Sequence, residues 1–193
     1  MSETWFETQP SQGVTVLQLH SSDGTNRLTR ASLVLLLDTL SSLKHGSSGL
    51  VIRGNSRFFS AGAELEEIAA LNGRAAYEFA GLGQGVMRMI ETFPAPVCAA
   101  IAGYCMGGGL DLALACHQRI AAPNAVFGHR GAALGLITGW GGTRRLPRLI
   151  GREQALRMFV AAEKVSARNA LHMGLVDAVA DDPVAEAIQR IRP

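Results

Sequence analysis

Residues 94–116 read P-A-P-V-C-A-A-I-A-G-Y-C-M-G-G-G-L-D-L-A-L-A-C, and this stretch restricts the fold more than any other. Val97 to Ala102 is a short apolar run that enters a glycine-punctuated turn and leads into a second apolar segment. The pattern predicts a buried strand, a tight turn and a buried helix. Gly107, Gly108 and Gly109 carry no Cβ where the helix begins, so backbone N–H groups there are open to a bound group. Unpaired amides and the helix dipole make such a start a site for negative charge. Asp111 follows within one turn, which brings donors and a candidate acid/base group together.

Partner strands and covering helices are legible on either side. Val14 to His20 alternates and is β-branched, which predicts a strand, and Gln12-Gly13 before it suggests a hairpin partner around Trp5 to Gln9. Thr29 is a candidate N-cap for a helix over 30–43, with Leu33, Leu36, Leu37, Leu40 and Leu43 at helical spacing and a left-handed glycine end near His45-Gly46. Leu50 to Arg53 is a short buried strand. Residues 58–68, F-F-S-A-G-A-E-L-E-E-I, give two aromatics, a small-residue turn and a helix whose Glu64, Glu66 and Glu67 complement its dipole. A long helix spans 74–92 and stops at Pro94-Ala95-Pro96. Strands follow at 119–122 and 125–128. Residues 131–142 form a glycine-rich loop, and Thr143 is read as the cap of a helix through Ile150. Gly151 separates it from a helix over 152–162, Ser166 caps another, Leu175 to Val179 is a terminal strand, and Pro183 to Ile191 a closing helix. Alternating strands and helices without a linker predict one α/β domain.

Several function classes are excluded. G-L-G-Q-G at 81–85 follows no strand, so a dinucleotide loop is rejected, and the absence of G-K-[ST] excludes a P-loop. The net charge is +2; Arg144, Arg145, Arg148, Arg152 and Arg157 cluster without interleaved aromatics, which fits a solvated face or phosphate and carboxylate pairing better than nucleic acid. Cys98, Cys105 and Cys116 lack zinc spacing and read as reduced core thiols, so no metal site and a cytoplasmic setting are expected. The acidic N-terminus has no signal-peptide core, and no apolar run reaches the roughly 20 residues of a membrane helix.

Four stretches carry a family resemblance: F-S-A-G-A-E at 59–64, G-Y-C-M-G-G-G-L-D-L-A at 103–113, the span from F-G at 127 to G-G-T-R-R-L at 141–146, and S-A-R-N-A-L-H-M-G-L-V-D at 166–177. In this order and spacing, over about residues 10–180, the chain resembles the crotonase family, the enoyl-coenzyme A hydratase/isomerase superfamily. The resemblance implies a β-spiral of repeated ββα units, with two roughly perpendicular sheets surrounded by helices. It implies a coenzyme A thioester as substrate, with no tightly bound cofactor, and a homo-oligomer, a trimer or a dimer of trimers. The peptide N–H groups of Ala63 and Gly108 would form an oxyanion hole, flanked by Gly62 and Gly107. Gly24, Thr25 and Ala61 would hold coenzyme A.

The chain departs from that pattern in its carboxylates. Two glutamates serve a typical hydratase; here the first position is Asp111 and the second aligns with Gly131 in H-R-G-A-A-L-G. His129, Thr138, Gly139 and Trp140 line the place where the second carboxylate would project, and His129 is a candidate acid/base. One base with an oxyanion hole suffices to move a proton, so double-bond isomerisation or another single-base transfer is preferred over two-glutamate hydration. A non-catalytic acyl-coenzyme A binder or structural member of the fold is the alternative. The domain over 1–193 is expected to lack most of the family's C-terminal helical extension.

Overall fold

The computed structural model describes residues 5–44 and 46–191. Phe6–Ser11 (β1) and Val14–Leu19 (β2) form the expected antiparallel hairpin, with Phe6 opposite Leu19 and Ser11 opposite Val14. Both turn residues, Gln12 and Gly13, have positive φ (55° and 85°), the sign pattern of the primed turns that match strand twist. Helix α1, Arg30–Leu43, begins at a capping box in which Thr29 and Ser32 each bond the other's backbone N–H.

Three ββα units then repeat. The first is Leu50–Arg53 (β3), Phe58–Ser60 (β4) and the helices Leu65–Ala69 (α2) and Gly73–Glu91 (α3). The second is Val97–Ile101 (β5), Tyr104–Met106 (β6) and Gly108–Ala115 (α4). The third is Gln118–Ala121 (β7), Val126–Gly128 (β8), a 3₁₀ turn at Gly131–Leu134, Gly142–Ile150 (α5) and Arg152–Val160 (α6). Val165–Ser166 (β9), Ala167–His172 (α7), Ala178–Val179 (β10) and Pro183–Ile191 (α8) follow. Each unit gives its first strand to one sheet and its second to the other. The six-stranded sheet runs β1-β2-β3-β5-β7-β10, parallel except for β1, and the four-stranded sheet runs β4-β6-β8-β9 with β9 antiparallel.

Strand β5 is wholly buried because both its faces are covered. Val97, Ala99 and Ile101 join the main core between the sheets and helices. Cys98 and Ala100 point the other way, onto Ala187, Ile188 and Ile191 of α8. This two-sided cover explains why the strand reads as a continuous apolar run rather than an alternating one.

Four expectations are corrected. The turn after β5 contains a strand of its own, β6, whose three residues are too few to leave a periodic signal. The cap of α5 is Gly141, at φ 101°, with no side-chain bond; Thr143 is inside the helix. Helix α6 ends at Val160 rather than at 162. The terminal strand expected over 175–179 is confined to Ala178–Val179. Helix α1 has Lys44 as its C-cap, and His45, part of the expected left-handed end, lies outside the described residues.

Candidate active site

The glycine turn at 107–109 meets the small-residue turn at 61–63. Gly107 needs its positive φ of 51°, and a Cβ on Gly109 would stand 2.6 Å from Ser60 Cβ. Across from them, Gly62 takes φ 99°, and a Cβ there would lie 2.8 Å from Met106 O and 3.2 Å from Gly108 N. Ser60 holds that turn: its hydroxyl donates to Asn26 O (2.7 Å) and accepts from Gly62 N (3.1 Å). Leu28 bridges Ala63 in parallel fashion, using Gly62 O and Glu64 N (2.8 and 3.1 Å). That pattern turns the N–H of Ala63 itself away from Leu28. Among the described residues neither this N–H nor that of Gly108, the first residue of α4, has an acceptor.

Trp140 closes the turn. Its indole packs edge-on against Phe79, with centroids 5.4 Å apart, and is seated between two glycines. A Cβ on Gly83 of α3 would stand 2.2 Å from Nε1, and one on Gly108 would stand 2.2 Å from Cζ3. The middle glycine of G-L-G-Q-G is therefore the seat of this ring. Gly81 and Gly85 face open space. Gln84 Nε2 donates to Gly139 O (2.8 Å), which ties the 138–140 segment to α3.

Asp111 and His129 meet beneath this segment. Asp111 is 0% exposed and His129 3%. Asp111 Oδ2 accepts from the Thr138 hydroxyl, and Oδ1 stands 3.3 Å from His129 Nε2. Burial raises the Asp111 carboxyl to about 7 against the opposing pull of the Thr138 and Trp140 hydrogen bonds and the Arg145 charge. Burial alone lowers His129 to about 4. Gly142 is what lets α5 close over them, since a Cβ there would lie 2.1 Å from Asp111 Oδ1 and 3.1 Å from His129 Nε2. In the sequence Gly83 stands only within the rejected G-L-G-Q-G and Gly142 only within the glycine-rich loop, and neither packing role is read there; a glycine inside a helix next to no turn was the available signal for Gly83.

A cavity of about 590 Å³ opens onto both features, within the usual range for small-molecule sites. Ala61, Gly62, Ala63, Gly107, Gly108, Asp111, His129, Thr138, Gly139 and Trp140 all border it, together with an apolar wall that includes Leu65, Ile68, Leu71 and Phe79. Asp111 is the one carboxylate among the described lining residues. At Gly131 a Cβ would stand 2.7 Å from Leu136 O. Gly24 and Thr25 lie outside the lining; Thr25 O accepts from the N–H of the lining residue Ala61 (2.9 Å), whereas Gly24 O accepts from Asn55 Nδ2 (2.7 Å), away from the lining.

The other candidate groups have structural partners. Glu67 accepts from Arg30 N (2.9 Å), so it caps α1, while Glu64 caps α2 through Glu66 N and pairs with Arg27 (3.2 Å). In the arginine cluster, Arg145 pairs with Glu91 (2.8 Å) and Arg157 with Glu163 (3.2 Å), whereas Arg144, Arg148 and Arg152 are exposed. Burial pushes Cys98 up to about 12 and raises Cys105 and Cys116. Among the described residues no group of three His, Cys, Asp or Glu could hold a metal ion, and no helix is long and apolar enough to cross a membrane.

Comparison with known proteins follows the same outline. Residues 9–192 match the family model described as Enoyl-CoA hydratase/isomerase. The chain is 41% identical over 184 residues to a Bacillus subtilis protein named "Probable enoyl-CoA hydratase", covering 94% of the chain and 70% of that protein. It is 36% identical over 174 residues to the "Crotonyl-CoA hydratase" of Syntrophomonas wolfei, covering 89% and 67%. The crystal structure of an enoyl-CoA hydratase from Thermoplasma volcanium superposes with a TM-score of 0.92 at 32% identity, covering 97% of the chain and 75% of that structure.

Proposed function

Because the chain belongs to the enoyl-CoA hydratase/isomerase family, we propose that it is an acyl-coenzyme A enzyme that moves a proton at an enolisable thioester, with Asp111 as its base. The observation that carries this reading is one cavity bordered by two peptide N–H groups without acceptors and by a single carboxylate. The thioester carbonyl accepts from the N–H of Ala63 and Gly108, and as the α-proton leaves, the oxygen gains charge where both donors already point. Each such donor is worth about 3–4 kcal/mol in the transition state. A carboxyl held near 7 by burial has the basicity a proton-transfer group needs at neutral pH. The apolar wall of Leu65, Ile68, Leu71 and Phe79 suits a hydrocarbon acyl chain. Migration of a double bond through a dienolate is preferred over hydration by two carboxylates, since Gly131 supplies none and has no room for one.

The test is turnover of matched 2-enoyl and 3-enoyl coenzyme A thioesters by wild type and Asp111→Asn. Isomerisation that falls at least 100-fold in the variant is expected; hydration that survives Asp111→Asn overturns the assignment. The complete burial of Asp111, with one oxygen tied to Thr138, favours a second reading, thioester binding without turnover. Tight thioester binding with no product, unchanged by Asp111→Ala, identifies that case.

A further inference from the structure

Two polar atoms of residues that line the cavity have no hydrogen-bond partner. Asp111 Oδ1 and His129 Nε2 are both buried, neither makes a hydrogen bond, and they stand 3.3 Å apart. Buried polar atoms left unpaired are rare because each loses its water without replacement. One proton between them satisfies both.

Each partner is fixed from its own side. Helix α4 carries Asp111, and the Thr138 hydroxyl holds its other oxygen. Strand β8 delivers His129, whose ring lies against Phe159 of α6 with centroids 4.9 Å apart. The start of α5 seals the pair through Gly142, the one residue type that fits there. The charged and titratable groups around them are Arg145 of α5, which favours the carboxylate, the buried thiol of Cys105 on β6, and Arg130, exposed at the cavity beside His129.

We propose that Asp111 and His129 act as a two-position proton carrier, with His129 supplying the second acid–base group that the chain lacks at Gly131. This rests on the reading of Asp111 as the base. In double-bond migration the α C–H bond breaks, its proton goes to the Asp111 carboxylate, and its electron pair enters the dienolate. The proton crosses from Oδ1 to Nε2, giving a carboxylate and an imidazolium, and passes to the γ-carbon as the dienolate collapses to the conjugated thioester. Asp111 returns as carboxylate and His129 as neutral imidazole, and nothing is consumed. A second acid–base atom 3.3 Å from Oδ1 lets the γ-carbon be served without the carboxylate moving. Burial, which lowers His129 to about 4, makes the imidazolium a strong proton donor once formed.

His129→Phe keeps a ring against Phe159 and removes both nitrogens; His129→Gln restores a hydrogen-bond donor that cannot carry a proton. Both variants are expected to keep KM within about threefold and to lose about 10²–10⁴-fold in kcat. A merely structural imidazole would be rescued by Gln. In ¹⁵N-histidine NMR of the wild-type protein, the His129 Nε2 resonance should move with a midpoint near pH 7, where Asp111 titrates, and that midpoint should disappear in Asp111→Asn. The carrier is overturned if His129→Phe retains kcat within threefold while Asp111→Asn is inactive, or if the His129 resonance is indifferent to Asp111→Asn. Full activity in Asp111→Asn instead overturns the base itself, and absence of turnover by the wild-type protein overturns both.

Discussion

Removing Asp111 and removing His129 should change the pH dependence of stability in opposite directions. Burial raises Asp111 from 3.8 to about 7, so between those values the native state holds a proton that the unfolded chain has lost, and stability falls as pH rises. Burial lowers His129 from 6.5 to about 4, so in that window the unfolded chain holds a proton that the native state has lost, and stability rises with pH. Between about pH 4.5 and 6 the pair carries one proton in either state, and the two slopes cancel. Asp111→Asn leaves the histidine slope alone and His129→Phe leaves the carboxyl slope alone. At about 1.36 kcal/mol per pH unit, the stability of Asp111→Asn relative to wild type should rise by about 2 kcal/mol from pH 4.5 to 6, and that of His129→Phe should fall by about 2 kcal/mol. Urea unfolding of the three proteins at both pH values measures this, and titrations elsewhere cancel in the differences. Parallel pH dependences in all three would refute the assignment of one buried neutral acid beside one buried neutral base.

The glycines of G-L-G-Q-G should separate by neighbour. Gly81→Ala and Gly85→Ala add helix propensity in open space and should stabilise by about 0.5–1 kcal/mol, whereas Gly83→Ala drives a methyl into Trp140 and should destabilise by about 1–3 kcal/mol. Urea unfolding gives the energies, and tryptophan fluorescence, from Trp5 and Trp140 alone, reports the ring. Asn26 bonds Phe58 O and Phe59 O (3.0 and 3.2 Å) at φ 53°, so Asn26→Ala should lose about 2–4 kcal/mol of stability by the same measurement. The three thiols are buried and shifted away from thiolate, so Ellman's reagent should find none in the native protein and three after unfolding in urea.

Elements whose signal is local were legible in the chain. Thr29 and Ser166 cap their helices through their own side chains, and the spacing of Leu33, Leu36 and Leu40 buries one face of α1. The strand–turn–helix at 97–115 follows from apolar runs parted by glycines, although β6 within it, three residues long, exists only through its pairing with β4 and β8. Gly141 rather than Thr143 caps α5 because the chain enters that helix in a left-handed conformation, which a threonine hydroxyl cannot compensate.

The residues bordering the cavity were also named beforehand: the glycine turn and the carboxylate at Asp111 from the chain itself, Ala63, Gly108 and His129 as what the family resemblance implies. What the chain alone did not decide is which of them face each other. His129 meets Asp111 because β8 and α4 belong to adjoining units of the spiral, and Gly83 meets Trp140 across α3 and the 138–140 segment. Propensity, capping and periodicity act within one turn or one pleat of backbone, so the sequence carries them directly. A desolvated pair of unpartnered atoms depends on burial from every side. Only the packed units that shut out water over Gly142 make Asp111 and His129 a pair, with its carboxyl raised and its imidazole lowered.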